Sequence, residues 1–125
     1  MSKTVLSAGI IIREILITSE TVRTNKVYPI VTDEAQTPYI VYRRIGLKGN
    51  PVKTGAGADT IQLEVLCFEA DYSRSVELAE SVREALENRR YEADGLRMRS
   101  CVLEDSEETW QDDAYVQRLV FNVKI

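Results

Sequence analysis

The stretch Thr60-Ile61-Gln62-Leu63-Glu64-Val65-Leu66-Cys67-Phe68, followed closely by Asp71-Tyr72-Ser73-Arg74-Ser75-Val76, decides the fold class. Ile61, Leu63, Val65 and Cys67 alternate with Gln62 and Glu64, the period-two pattern of a strand with one wet face. Its later residues are apolar on both faces, as in a strand that becomes covered. Asp71 then reads as an N-cap. Tyr72, Val76, Ala79, Val82 and Leu86 follow as a buried helical stripe, with Arg74, Glu77, Glu80, Arg83, Glu84 and Glu87 outside it. The helix is predicted to end near residues 88–90.

Upstream, residues 5–18 predict a first helix. Leu6, Ile10 and Ile17 keep helical spacing, and Ile11, Ile12, Ile15 and Leu16 widen the apolar stripe. Its β-branched residues lower helix propensity, so packing must sustain it. Residues 27–31 form a short extended piece that Pro29 confines to an edge or a turn. Residues 38–45 (Pro-Tyr-Ile-Val-Tyr-Arg-Arg-Ile) are a strong strand. Glycines 46, 49, 55 and 57 with Pro51 make residues 46–59 a loop or a hairpin tip. Downstream, residues 96–103 and 115–125 predict two last strands, joined by an acidic turn over residues 104–113.

Strands bunched around a helix argue for α+β: a mostly antiparallel sheet of four to five strands with two helices packed on one face. The 125 residues suit one domain, 1–125, without repeats or a linker. Hydrophobic residues make up 44% and charged residues 29%, a globular balance. No apolar run approaches the ~20 residues of a membrane span. Arg13 and Glu14 interrupt the early apolar run, which therefore does not read as a secretion signal.

Catalytic chemistry finds little support. There is no histidine, so the commonest general base and metal ligand is missing. Cys67 and Cys101 sit in strand-like stretches and are expected as buried, reduced thiols. Gly55-Ala56-Gly57 lacks the further glycine or Gly-Lys-Ser/Thr of a phosphate loop. The acidic segment lacks the ligand spacing of a calcium loop. Glu64 and Glu69 read as outward strand charges rather than an acid/base pair, and Ser100 and Cys101 have no activating partner. No catalytic residue, cofactor site or metal site is assigned. The net charge of −4 lacks the basic footprint of a nucleic-acid binder.

Charge distribution says more. Residues 38–58 hold four cations, Arg43, Arg44, Lys48 and Lys53, and no acid; residues 104–113 hold six acids and no cation. Two solvated tips would account for this. The sharper expectation is that they meet across a subunit boundary, since a cyclic ring joins unlike surfaces. Trp110, set among acids and amides, suits an interface anchor, the alternative being that it packs back onto the stem of its own hairpin. The candidate interface is therefore Arg43, Arg44, Lys48, Lys53, Glu107, Glu108, Trp110 and Asp112.

The run Val27-Tyr28-Pro29-Ile30, then Thr37-Pro38-Tyr39-Ile40-Val41-Tyr42, Ile61-Gln62-Leu63-Glu64-Val65, Asp71-Tyr72, the helix through Ala79 to Leu86, and Arg118-Leu119-Val120-Phe121-Asn122-Val123 together resemble the phage tail-completion, or tail-to-head joining, family. That family is related in fold to tail terminator proteins. The resemblance implies a structural, non-enzymatic virion protein of a phage or prophage. It implies homo-oligomeric rings, often hexamers, that close the tail tube and face the head-neck connector. It further implies the tail tube protein as a partner, DNA only as passing cargo, no membrane and no small-molecule substrate. Assembly would take place in the host cytoplasm. Two other classes fit the composition: a ferredoxin-like homodimeric binding module, and a hydrolase using a divalent metal at the acidic turn.

Overall fold

The computed structural model describes residues 6, 8–22, 24, 26–30, 36–48, 60–88, 90–93 and 96–124. Along the chain come α1 (Ala8–Thr18), β1 (Val27–Pro29), β2 (Tyr39–Lys48), β3 (Thr60–Glu69), α2 (Tyr72–Leu86), β4 (Tyr91–Ala93), β5 (Leu96–Met98), β6 (Ser100–Gln111) and β7 (Ala114–Lys124). A five-stranded sheet has the order β1-β2-β3-β7-β6, and β4 and β5 form a separate pair. The class is α+β, as the strand and helix periods require. The five-stranded sheet is mostly antiparallel, as expected, but mixed, because β1 lies parallel to β2. With the β4–β5 pair, the described residues hold more strands than the sequence pattern suggested; three-residue strands carry too little alternation to be read.

β3 and β7 occupy the middle of the sheet, paired over ten residues from Thr60↔Lys124 to Glu69↔Tyr115. Strict alternation sends their side chains to two sides. On what we call the inner side, Ile61, Leu63, Val65 and Cys67 of β3 and Leu119, Phe121 and Val123 of β7 join Ile40 and Tyr42 of β2. The same cluster contains Ile11, Ile12, Ile15 and Leu16 of α1 and Leu78, Ala79, Val82 and Leu86 of α2. Burying each such aliphatic or aromatic side chain contributes about 1.5–3 kcal/mol. A smaller cluster, Tyr39, Val41, Phe68, Ala114 and Val116, occupies the outer side, where Tyr39 stacks on Phe68 at 4.5 Å.

Local details correct several expectations. Asp71 does stand at the N-cap, with φ −123 and ψ 136, but without a side-chain cap bond. The buried stripe of α2 is Ser75, Leu78, Ala79, Val82, Ala85 and Leu86, and Tyr72 is 46% exposed. β2 extends to Lys48, so residues 46–48 are strand rather than loop; residues 49–59 lie outside the described residues. β6 runs to Gln111, so most of the expected acidic turn is strand, and the turn itself is Asp112-Asp113. Pro29 lies in β1, an edge strand, as its missing N–H demands. The other edge is β6. Near its start the residues that end α2 cover it: Asn88 N donates to Cys101 O at 2.7 Å, and Leu103 N donates to Oε2 of the C-cap residue Glu87 at 3.0 Å. From Glu104 to Gln111 every residue of β6 is exposed.

Two irregularities lie within one residue of the same level, on either side of the Leu63↔Phe121 pair. β2 slips by one residue between Arg44 and Gly46, and β6 slips between Leu103 and Asp105. A one-residue bulge reverses the side to which every following side chain points. In β6, Cys101 and Leu103 face inward with Val123 and Phe121. Past the bulge, Ser106, Glu108 and Trp110 face inward, opposite Leu119, Gln117 and Tyr115.

Candidate functional site

Two arrangements of polar side chains stand out, one on each side of the sheet. On the inner side, at the β6–β7 hairpin, three aromatic rings from three elements meet. Trp110 packs edge-on against Tyr115 at 4.8 Å, and Tyr72 meets the same Tyr115 at 5.7 Å. Tyr72 Oη donates to Glu108 Oε2 at 2.9 Å, and Gln117 Nε2 donates to the same oxygen at 3.0 Å. Those two bonds hold the Glu108 carboxyl below the ordinary carboxylate range, Gln117 first and Tyr72 second. The hydrogen bond to Glu108, and after it the charge of that carboxylate, in turn raise the Tyr72 phenol. Trp110 still leaves 55% of its surface in solvent. Asp112 and Asp113 close the hairpin at φ 53 and φ 58, the paired left-handed geometry of a tight two-residue turn whose twist matches the strands. Aspartate tolerates this conformation better than most side chains.

On the outer side, Glu64 is 5% exposed and sits between two guanidinium groups. Arg118 Nε donates to Glu64 Oε2 at 2.6 Å, and Arg43 Nε donates to Glu64 Oε1 at 2.8 Å. Arg118 Nη1 continues the line to Asp105 Oδ2 at 3.8 Å. Burial alone would push the Glu64 carboxyl up; the bonds from Arg118 and Arg43 outweigh it and leave the group below its ordinary value. Held as a carboxylate by two cations, Glu64 is a structural crosslink across β2, β3 and β7 rather than an acid/base group. The thiols of Cys67 and Cys101 are free and buried, and burial pushes each up to about 12, which removes thiolate reactivity near neutral pH. Among the described residues no three His, Cys, Asp or Glu side chains converge on a metal position.

The residues singled out from sequence are dispersed. Arg43 faces outward and pairs with Glu64 within its own chain. Arg44, level with Leu63, faces the inner side and has no ion pair among the described residues. Lys48 ends β2, its side chain outside the described residues, and so is Lys53. Glu107, opposite Arg118, faces outward; Glu108 and Trp110 face inward together. Lys48 pairs with Thr60 and Thr60 with Lys124 at one end of the sheet, whereas Asp112 caps the other end. Lys48 and Asp112 thus lie at opposite ends of the sheet, whereas Arg43 is level with Asp105 through Glu64 and Val120.

Sequence reasoning missed Tyr72, Tyr115, Gln117 and Arg118 as partners. The signal was present in Asp112-Asp113: taken as a two-residue turn, it pairs Trp110 with Tyr115, Glu108 with Gln117 and Glu107 with Arg118 by counting outward.

The inner side carries one more feature. Leu6, Gly9, Ile10, Ile30, Tyr42 and Arg44 line an open groove of about 500 Å³ along the β1–β2 edge. Ile10 is 51% and Ile30 70% exposed.

No curated protein matches the sequence. By structure the chain is similar to a chain in the virion of a native gene transfer agent (GTA) particle, with a TM-score of 0.77, 16% identity, and 90% of each chain covered. At that identity the likeness concerns the fold. The model of the family described as Tail completion protein gp17 matches residues 12–125. That span runs from α1 through the hairpin and its aromatic cluster to the end of β7, and the chain therefore belongs to the tail completion protein gp17 family, among the structural proteins of phage tails.

Proposed function

We propose that this chain, acting as one domain over residues 1–125, assembles into a homo-oligomeric ring that closes the end of the phage tail tube and presents a face for joining to the head. The family match over residues 12–125 is the observation that carries this reading. Its likeness to a chain of a gene transfer agent virion supports a role within a particle. The separation of charge supports head-to-tail association, because unlike surfaces must meet when a ring closes. The candidate contact residues remain Arg43, Arg44, Lys48 and Lys53 on one subunit and Glu107, Glu108, Trp110 and Asp112 on the next. The partners are the tail tube protein and the head-neck connector. The acidic balance suits a channel through which DNA slides without adhering. Assembly takes place in the host cytoplasm, and the role is structural rather than catalytic.

The test is the mass of the purified protein by light scattering over a range of concentrations. A ring of about six chains is expected, either alone or once tail tube protein is added. A strict dimer under both conditions would overturn the reading in favour of a two-fold binding module.

A further inference from the structure

The ring reading leaves open what holds neighbours together, and the inner side of the sheet offers two unlike surfaces at opposite edges. At the β6 edge stands an aromatic knob: Trp110, 55% exposed, braced by Tyr115 and, through it, Tyr72. Glu108 and the turn residues Asp112 and Asp113 surround it with negative charge. At the β1–β2 edge lies the apolar groove with Arg44 on its rim. Gly9 forms part of its floor: a Cβ there would meet the Tyr42 ring at 3.2 Å, so the missing side chain is what lets α1 settle on Tyr42.

Ile30 adds an independent sign that this groove is used. It adopts φ 66, a left-handed conformation that costs a β-branched residue about 1–2 kcal/mol. Its N–H donates to Tyr42 O at 2.7 Å, which ties the backbone down, yet its side chain stays 70% exposed. A strained residue that holds a large apolar group in water is unexplained by the stability of a lone subunit.

Resting on the ring reading, we propose that Trp110 of one subunit inserts into the groove of the next copy of this chain, between Ile10 and Ile30, with the acidic hairpin against Arg44. Same side, opposite edges and opposite charge are the conditions for a heterologous contact; a two-fold axis would bring like edges together. The geometry also sets an offset. Tyr42 is level with Ser106 through Val65 and Leu119, and Trp110 lies four residues further along β6. Neighbours are therefore staggered by about 13 Å along the strands, so the strands tilt against the ring axis.

The experiment uses the full chain in three forms: wild type, Trp110→Ala and Ile10→Glu. Both positions are exposed, so folding should survive, and circular dichroism checks that it does. Each substitution is expected to weaken ring formation by roughly tenfold or more. In a second measurement, chains carrying Ile10→Cys and chains carrying Trp110→Cys are mixed under mild oxidation. The native thiols are buried and stay silent. Cross-links between unlike variants, without like-with-like dimers, support the contact. Rings that form normally in both variants without cross-links overturn the contact and leave the ring reading standing. Rings that persist in Ile10→Glu while tube binding is lost would assign the groove to the tube protein, which also overturns it. A protein that forms no ring, alone or with tube protein, overturns the ring reading and the contact together.

Discussion

Val65 and Glu64 are neighbours in the chain and almost equally hidden, at 0% and 5% exposure, yet the two sides of the sheet hold them by different physics. Val65 is one of many apolar side chains on the inner side, where transfer from water and close packing supply the stability. Glu64 survives on the outer side only because two guanidinium groups replace the water it gave up. The inner side tolerates a change in shape better than a change in polarity. On the outer side the charge itself is what must be kept, since removing Glu64 leaves Arg43 and Arg118 uncompensated.

Exchanging polarity should break the comparison most sharply. Val65→Glu places an unpaired carboxyl in the apolar inner cluster, level with Tyr42 and Leu119, and a cost above roughly 4 kcal/mol is expected; the variant should fail to show a cooperative melt by circular dichroism. Glu64→Ala strands Arg118 and Arg43, but Arg43 is 53% exposed and water softens the loss. About 2 kcal/mol is expected in chemical denaturation.

Acid separates the sides further. The folded Glu64 carboxyl titrates below its ordinary value of 4.5, so its contribution is complete above that value and is lost as pH falls through the lowered one. Glu64→Gln should be less stable than wild type at neutral pH, and the two should converge in acid. A constant difference between them from pH 7 to pH 3 would show that the carboxylate charge is not what holds the outer side.

The smallest effect lies at the hairpin turn, which with the bulge decides which acids face which side. Asp113→Gly, at φ 58, should remove left-handed strain at an entropic cost in the unfolded chain. A gain within about 1 kcal/mol is expected, and an unchanged Trp110 fluorescence would show that the register is kept.

Much of this was legible beforehand. Alternation in residues 60–68, the helical stripe after Asp71, and Pro29 at an edge were each readable, because each depends on neighbours a few residues away. The pattern of Tyr-Pro and Pro-Tyr-Ile-Val-Tyr pointed to the right family. Tyr72 was misread because its spacing fits the buried stripe. Only the arrival of β6 and β7 beside α2 turns it toward Glu108 and Tyr115 instead. Glu64 read as a solvated strand charge because Arg118, 54 positions away, is invisible to any local window.

By itself the sequence determined the two helices, the longer strands and their order, the absence of histidine chemistry and the separation of basic from acidic segments along the chain. Those are properties of composition and of period, and both are local. The tertiary structure alone decided which side each acid faces and which partner each described charge meets. The physical reason lies in the slip between Leu103 and Asp105. Without it, uninterrupted alternation would have turned Asp105 and Glu107 inward and Trp110 outward. One extra residue, placed by pairing with β7, puts the tryptophan beside Tyr115 on the side that carries the groove.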